Sequence, residues 1–178
     1  MGEIKSAVEL AMERTKGLRL SSEEKEKIKE EEIQSRAVGL VNRYLEVDFH
    51  LREVEKEFAR VDQSQRPHLE KLFLQNLVEA LNLDRDNDLI LRGVETFHPA
   101  SAWTAGKVRD LVRKYQDRKT EEYQKTEAAL SAGLERLGIS GSAVHPRVAG
   151  SPEWEDTAAK FRPGFEEELK KLKKGILP

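Results

Sequence analysis

Cysteine is absent from the chain, which excludes disulfides, thiol nucleophiles and cysteine-based zinc sites. Aromatic residues are only 6% of the total, so any core must be assembled mainly from aliphatic side chains. No run of 18 apolar residues exists, and the first residues lack the apolar stretch of a secretion signal. A membrane span is therefore not expected, and the expected location is the cytoplasm. Also missing are a glycine-rich phosphate loop, a nucleophile elbow and a His-Glu-x-x-His pair. The sequence thus names no reaction, and nothing in it calls for a cofactor.

Charge, by contrast, is plentiful. Charged side chains make up 36% of the 178 residues, and the mean hydropathy is -0.68. The net charge of -2 is unevenly divided. Residues 1–89 carry 15 basic and 20 acidic side chains, and residues 90–178 carry 16 and 13. An asymmetry of this size suits the pairing of helices or chains with opposite fields and is too small to imply a polyanion partner. Disorder is one outcome of such a composition, but the apolar residues are spaced periodically, which favours solvated helices.

The clearest period runs from residue 33 to 61. Ile33, Ala37, Leu40, Tyr44, Val47, Leu51, Val54, Phe58 and Val61 follow a 4-3 spacing, the seam of a helix that packs on another helix. Ser21 and Glu24 have the spacing of a capping box, so one long helix is expected over about 22–62. Its first turns, Glu23 to Glu32, are nearly all charged and read as a solvated helix start. Pro67 opens a short, very apolar helix (His68 to Leu83), and a second short one spans Leu89 to Phe97 before Pro99. A second long helix is expected over about 102–137, capped by Ser101 and stopped by Gly138 with Ile139 behind it. Residues 139–151 read as a loop. Ser151-Pro152 restarts a helix that Pro163-Gly164 should interrupt, and a lysine-rich last stretch follows.

At the amino end, Ile4, Ala7, Val8 and Ala11 suggest a short amphipathic helix over 3–15. Gly2 with Ser6 matches the loose myristoylation pattern, although a flexible start explains Gly2 as well. The expected fold is all-α and elongated: a helical hairpin or coiled-coil-like bundle with a small packed helical end. Residues 1–138 form its helical domain, with the short helices 67–97 between the two long ones. Residues 139–178 form a loop and a terminal helical segment that packs on this domain or reaches a partner.

Four groups of residues are candidates for function. Asp84, Asp86, Asp88 and Glu95 stand at positions 1, 3, 5 and 12 of a calcium-loop pattern. Leu89 occupies the place of the required glycine, so a carboxylate-capped turn explains them better than a calcium loop. Glu46, His50 and Glu53 would share one face of an unbroken helix, as weaker metal ligands or surface ion pairs. Lys107, Lys114 and Arg118 form a basic face on the second long helix. Asp110, Asp117, Glu121 and Glu122 interrupt it, which disfavours nucleic acid. Tyr44, Leu51 and Phe58 on the seam, with Trp103 and Trp154 at helix starts, are the candidate contact residues for a protein partner. Seams of this kind point to a non-enzymatic interaction protein, an adaptor or co-chaperone-like assembly factor, working as a homodimer. A metal-using helical bundle built around His50 and a nucleic-acid-associated protein are the alternatives.

Overall fold

The computed structural model describes residues 21–46 and 49–177. The helix expected over 3–15, the Gly2 pattern and Val47 lie outside the described residues. Within them the protein is an all-α packed bundle: α1 (Ser22–Tyr44), α2 (Leu51–Ala59), α3 (Arg66–Glu79), α4 (Asp88–Phe97), a 3-10 turn (Pro99–Ser101), α5 (Ala102–Arg136) and α6 (Pro152–Ile176). No described helix is long and apolar enough to cross a membrane.

The single helix expected over about 22–62 is two helices. The Arg36 guanidinium on α1 donates to the Glu57 carbonyl oxygen at 3.4 Å and to its Oε2 at 3.3 Å. In a straight helix these residues would stand about 31 Å apart, so α2 doubles back along α1. Local contacts hold the turn. The Glu53 carboxylate accepts from the His50 backbone N–H at 2.8 Å, and the Arg43 guanidinium lies over the Phe49 ring at 5.3 Å. Turning lets Val54 and Phe58 enter a core made by several helices, whereas a straight rod would show them to one neighbour only. The Phe58 ring meets Phe73 at 5.5 Å and Phe97 at 5.3 Å, both edge-on, the arrangement that aromatic quadrupoles favour.

The seam is hidden as its spacing requires, but by α3 and α4 rather than by a helix of matching length. Ala37, Leu40, Tyr44, Val54 and Phe58 are fully buried. Segments 22–62 and 102–137, whose similar lengths allow either a hairpin within the chain or pairing of each with its twin, do not pair within the chain: α1 packs on α3, and α5 packs on α6, with no sustained contact between α1 and α5. Gly93 brings α4 close to both partners. A Cβ there would lie 3.0 Å from Tyr44 Cε1 and 3.0 Å from Leu77 Cδ1. The Tyr44 hydroxyl donates to the Leu89 carbonyl at 2.7 Å, so this buried phenol is satisfied.

Most of the expected helix ends are where the sequence puts them. Ser21 and Glu24 form the reciprocal capping box at 2.8 and 3.1 Å. Ser151 Oγ caps α6 by accepting from the Trp154 N–H at 3.2 Å. Gly138 adopts φ 77°. The Ile139 N–H reaches Leu134 O at 3.0 Å and the Gly138 N–H reaches Glu135 O at 2.9 Å, the paired bonds of a glycine helix stop. One expected end is absent. Pro163 lies inside a continuous α6. Pro163 and Gly164 are both exposed, so the bond lost at proline faces water. Phe161 and Phe165 hold the helix through their contacts with Tyr115, at 6.0 and 5.4 Å.

α5 and α6 run antiparallel. Thr104 lies beside Gly175, Tyr115 beside Phe161 and Phe165, and Tyr123 beside Trp154 at 5.3 Å. The far end of α6 enters the main core through Leu169 and Ile176, so the terminal segment packs on the rest of the chain. At 1.5 Å per residue α5 is about 52 Å long, and the core accompanies it only as far as Tyr115. Between residues 116 and 168 only Thr126 and Val148 are buried. The molecule thus has a packed head and an arm.

Candidate functional site

The far end of the arm carries an apolar groove. Leu130, Leu134 and Leu137 descend one side of α5 at the i, i+4, i+7 spacing of a packing seam. The loop that follows the Gly138 stop folds back so that Val148 is buried against the arm. Between them lies a groove of about 480 Å³, closed on the loop side by Pro146 and Arg147. Leu137 is 76% exposed and Ile139 48%, although large apolar side chains elsewhere among the described residues are mostly buried or half-buried. The groove's lining is mainly apolar, so it offers shape and apolar surface.

The sequence candidates are dispersed. Asp84, Asp86, Asp88 and Glu95 do not converge. Asp84 turns to the arm, and Asp86 accepts from the Asp88 N–H at 2.9 Å, an ordinary turn contact. Glu95 is held by both terminal nitrogens of Arg109, at 2.6 and 3.0 Å. That hydrogen-bonded guanidinium is the main reason why the Glu95 carboxyl lies below its usual pKa. Asp88 stands 3.7 Å from Arg109 as well. Glu46, His50 and Glu53 share no helical face, because the turn between α1 and α2 separates them and Glu53 caps His50. Among the described residues no group of three or more His, Asp or Glu is placed to hold a metal ion.

The contact candidates divide in the same way. Tyr44 and Phe58 are 1% exposed and belong to the head's core, so they present nothing to a partner. Leu51 is half-buried. Trp154 is half-buried between Tyr123 and Phe161 and fastens α6 to α5. Trp103 is the exception: it is 72% exposed, with the Lys107 ammonium 3.7 Å from the ring centroid. Of the basic face, Arg118 is ion-paired, 2.9 Å from Glu122, and Lys107 lies on the Trp103 ring, whereas Lys114 has no ion-pair partner among the described residues. Beside the face, Arg109 holds Glu95 and Arg113 holds Asp110.

Spacing gave no warning of what Asp84 does. One of its oxygens accepts from Lys119 Nζ at 2.6 Å and from the Tyr115 hydroxyl at 3.2 Å. The other lies 3.2 Å from Arg162. Burial acts to raise the Asp84 pKa, but the Lys119 bond and charge, helped by Tyr115 and Arg162, bring it below the ordinary value. The Gln116 side chain donates to the Leu83 carbonyl at 2.7 Å. The loop between α3 and α4 therefore clasps both helices of the arm at its root. Beside this clasp, α6 and the loop that follows α3 enclose a cleft of about 260 Å³.

Compared with protein-family models, curated proteins and solved structures, the chain matches none.

Proposed function

We propose that this protein is a non-enzymatic interaction module that pairs with a second copy of itself through the far end of the arm. The observation that carries the reading is the run Leu130, Leu134, Leu137, whose packing seam continues beyond the point where α6 covers it. A 4-3 stripe of leucines is self-complementary: the same stripe on a twin, related by a two-fold axis, fits knobs into holes. Pro146, across the groove, adds apolar surface to that contact. The coiled-coil character read from the sequence at 33–61 is thereby transferred to 130–137. Two heads are left at opposite ends, each displaying Trp103, an arrangement suited to an adaptor or assembly factor.

Sedimentation equilibrium tests this. The wild-type chain is expected to dimerise at micromolar concentration, and Leu137→Asp is expected to be monomeric with unchanged helix content. Leu137 is too exposed in the single chain for its loss to unfold the arm. A wild-type chain that stays monomeric at every accessible concentration would refute the pairing.

A further inference from the structure

We infer that the cleft between α6 and the loop that follows α3 binds a small organic anion, with its charged head on Lys170 and Lys173 and its apolar body on Leu81, Leu83 and Leu169. All five residues line the cleft. The argument begins with how the charges are used. Arg162 and Glu166, also on the wall, satisfy each other at 2.6 Å, and Arg162 serves Asp84 as well. The cleft's one carboxylate is therefore already neutralised. Lys173 donates to the Glu79 carbonyl at 2.9 Å, which covers the negative end of α3 and leaves two of its three N–H donors free. Lys170 has no ion-pair partner among the described residues. Asn82 gives its side-chain oxygen to the Asp84 N–H at 2.9 Å, and its amide N–H groups find no acceptor among the described residues. Two ammonium groups and an amide thus border an apolar floor.

Size and burial narrow the ligand. At about 260 Å³ the cleft falls just under the range of sites for drug-sized molecules, so it suits a smaller body. Burial pushes the Lys173 ammonium below its ordinary pKa, and an anion beside it would offset that desolvation. The leucines disfavour an ion that is hydrated all round. A monocarboxylate with a short aliphatic chain satisfies both halves of the cleft.

The test titrates the full chain with sodium hexanoate, acetate and inorganic phosphate, observing backbone amide signals by NMR. Hexanoate is expected to shift the signals of Leu81, Leu83 and Leu169 at lower concentration than acetate or phosphate, and to saturate. Lys170→Gln is expected to weaken hexanoate at least tenfold. Lys173→Gln should do the same, but it also uncovers the Glu79 carbonyl, so Lys170→Gln, with its fold checked by circular dichroism, decides. Equal affinity for phosphate and hexanoate, shifts spread over Lys171 and Lys174 without saturation, or an unweakened Lys170→Gln variant would each overturn the assignment. The cleft borders the head and the groove lies at the arm's far end, so a monomeric chain leaves this result untouched.

Discussion

The head and the arm use the same kinds of residues to different ends. In the head, Phe58, Phe73 and Phe97 form a closed triangle of edge-on contacts at 5.3 to 5.5 Å, and Tyr44 extends it. Phe58 and Phe73 are almost wholly buried. In the arm, Tyr115, Phe161 and Phe165 form a looser triangle at 5.4 to 6.5 Å between two helices, which Trp154 and Tyr123 extend, with one side left to solvent. The head's triangle is drawn from three helices, whereas the arm's is drawn from two. The head's aromatic rings are therefore enclosed, and the arm keeps apolar surface available.

The largest expected effect tests this contrast directly. Phe73→Ala removes the ring shared by three aromatic contacts and should destabilise the fold by about 3–5 kcal/mol. Phe161→Ala removes a half-buried ring with solvent beside it and should cost about 1–2 kcal/mol. Urea unfolding of the two variants measures the difference. Equal losses would mean that the arm is as tightly packed as the head, and the division would fail.

Close approach gives the next prediction. Gly93→Ala sets a methyl group 3.0 Å from both Tyr44 and Leu77, side chains buried on every side. Crowding of this kind should cost about 1–3 kcal/mol, seen as a lower thermal midpoint. A neutral Gly93→Ala would show that α4 can slide, so that the head is less rigid than its burial implies.

The clasp at Asp84 joins the two regions and should respond to acid. Its folded-state pKa is depressed, so its contribution is present above the ordinary carboxylate value of 3.8 and is lost as pH falls through the lower folded value. Asp84→Asn should therefore be less stable than wild type at neutral pH, by about 1 kcal/mol for a partly exposed, charge-assisted contact. The two should converge in acid below the folded-state value. A gap that persists there would mean that the carboxylate's shape, rather than its charge, fastens the arm.

How far the sequence reveals these regions depends on the range of the interactions concerned. Helix ends are local, and they were legible: Ser21 with Glu24, Ser151 before Pro152, and Gly138 before Ile139 all act within five residues of one another. The seam at 33–61 was legible as a surface to be buried, but not as two helices. A 4-3 repeat records which side of each turn is apolar, and it runs through Tyr44 and Leu51 whether or not the chain doubles back between them. What decides the turn is the triangle of Phe58, Phe73 and Phe97, drawn from three separate helices. The candidate metal residues failed for the same reason. Asp84 and Glu95 have ligand spacing in sequence, yet Lys119 and Arg109, 35 and 14 positions away, take them in different directions. The groove was half legible: the helix end at Gly138 and the loop at 139–151 were visible, but the fold of that loop toward Leu130, Leu134 and Leu137 was not.

The smallest expected effect reverses the sign of the Gly93 experiment. Gly164 lies in α6 just after Pro163, is exposed, and a Cβ there meets nothing within 4 Å. Gly164→Ala should stabilise the protein by about 0.5–1 kcal/mol, because alanine loses less backbone freedom than glycine on entering a helix. The same substitution is thus expected to harm the head and help the arm, and the two thermal midpoints should move in opposite directions. If Gly164→Ala lowers the midpoint instead, the residue after Pro163 is under a constraint other than helix geometry. A functional bend of the arm at Pro163-Gly164 would then displace simple helix propensity as the account of that position.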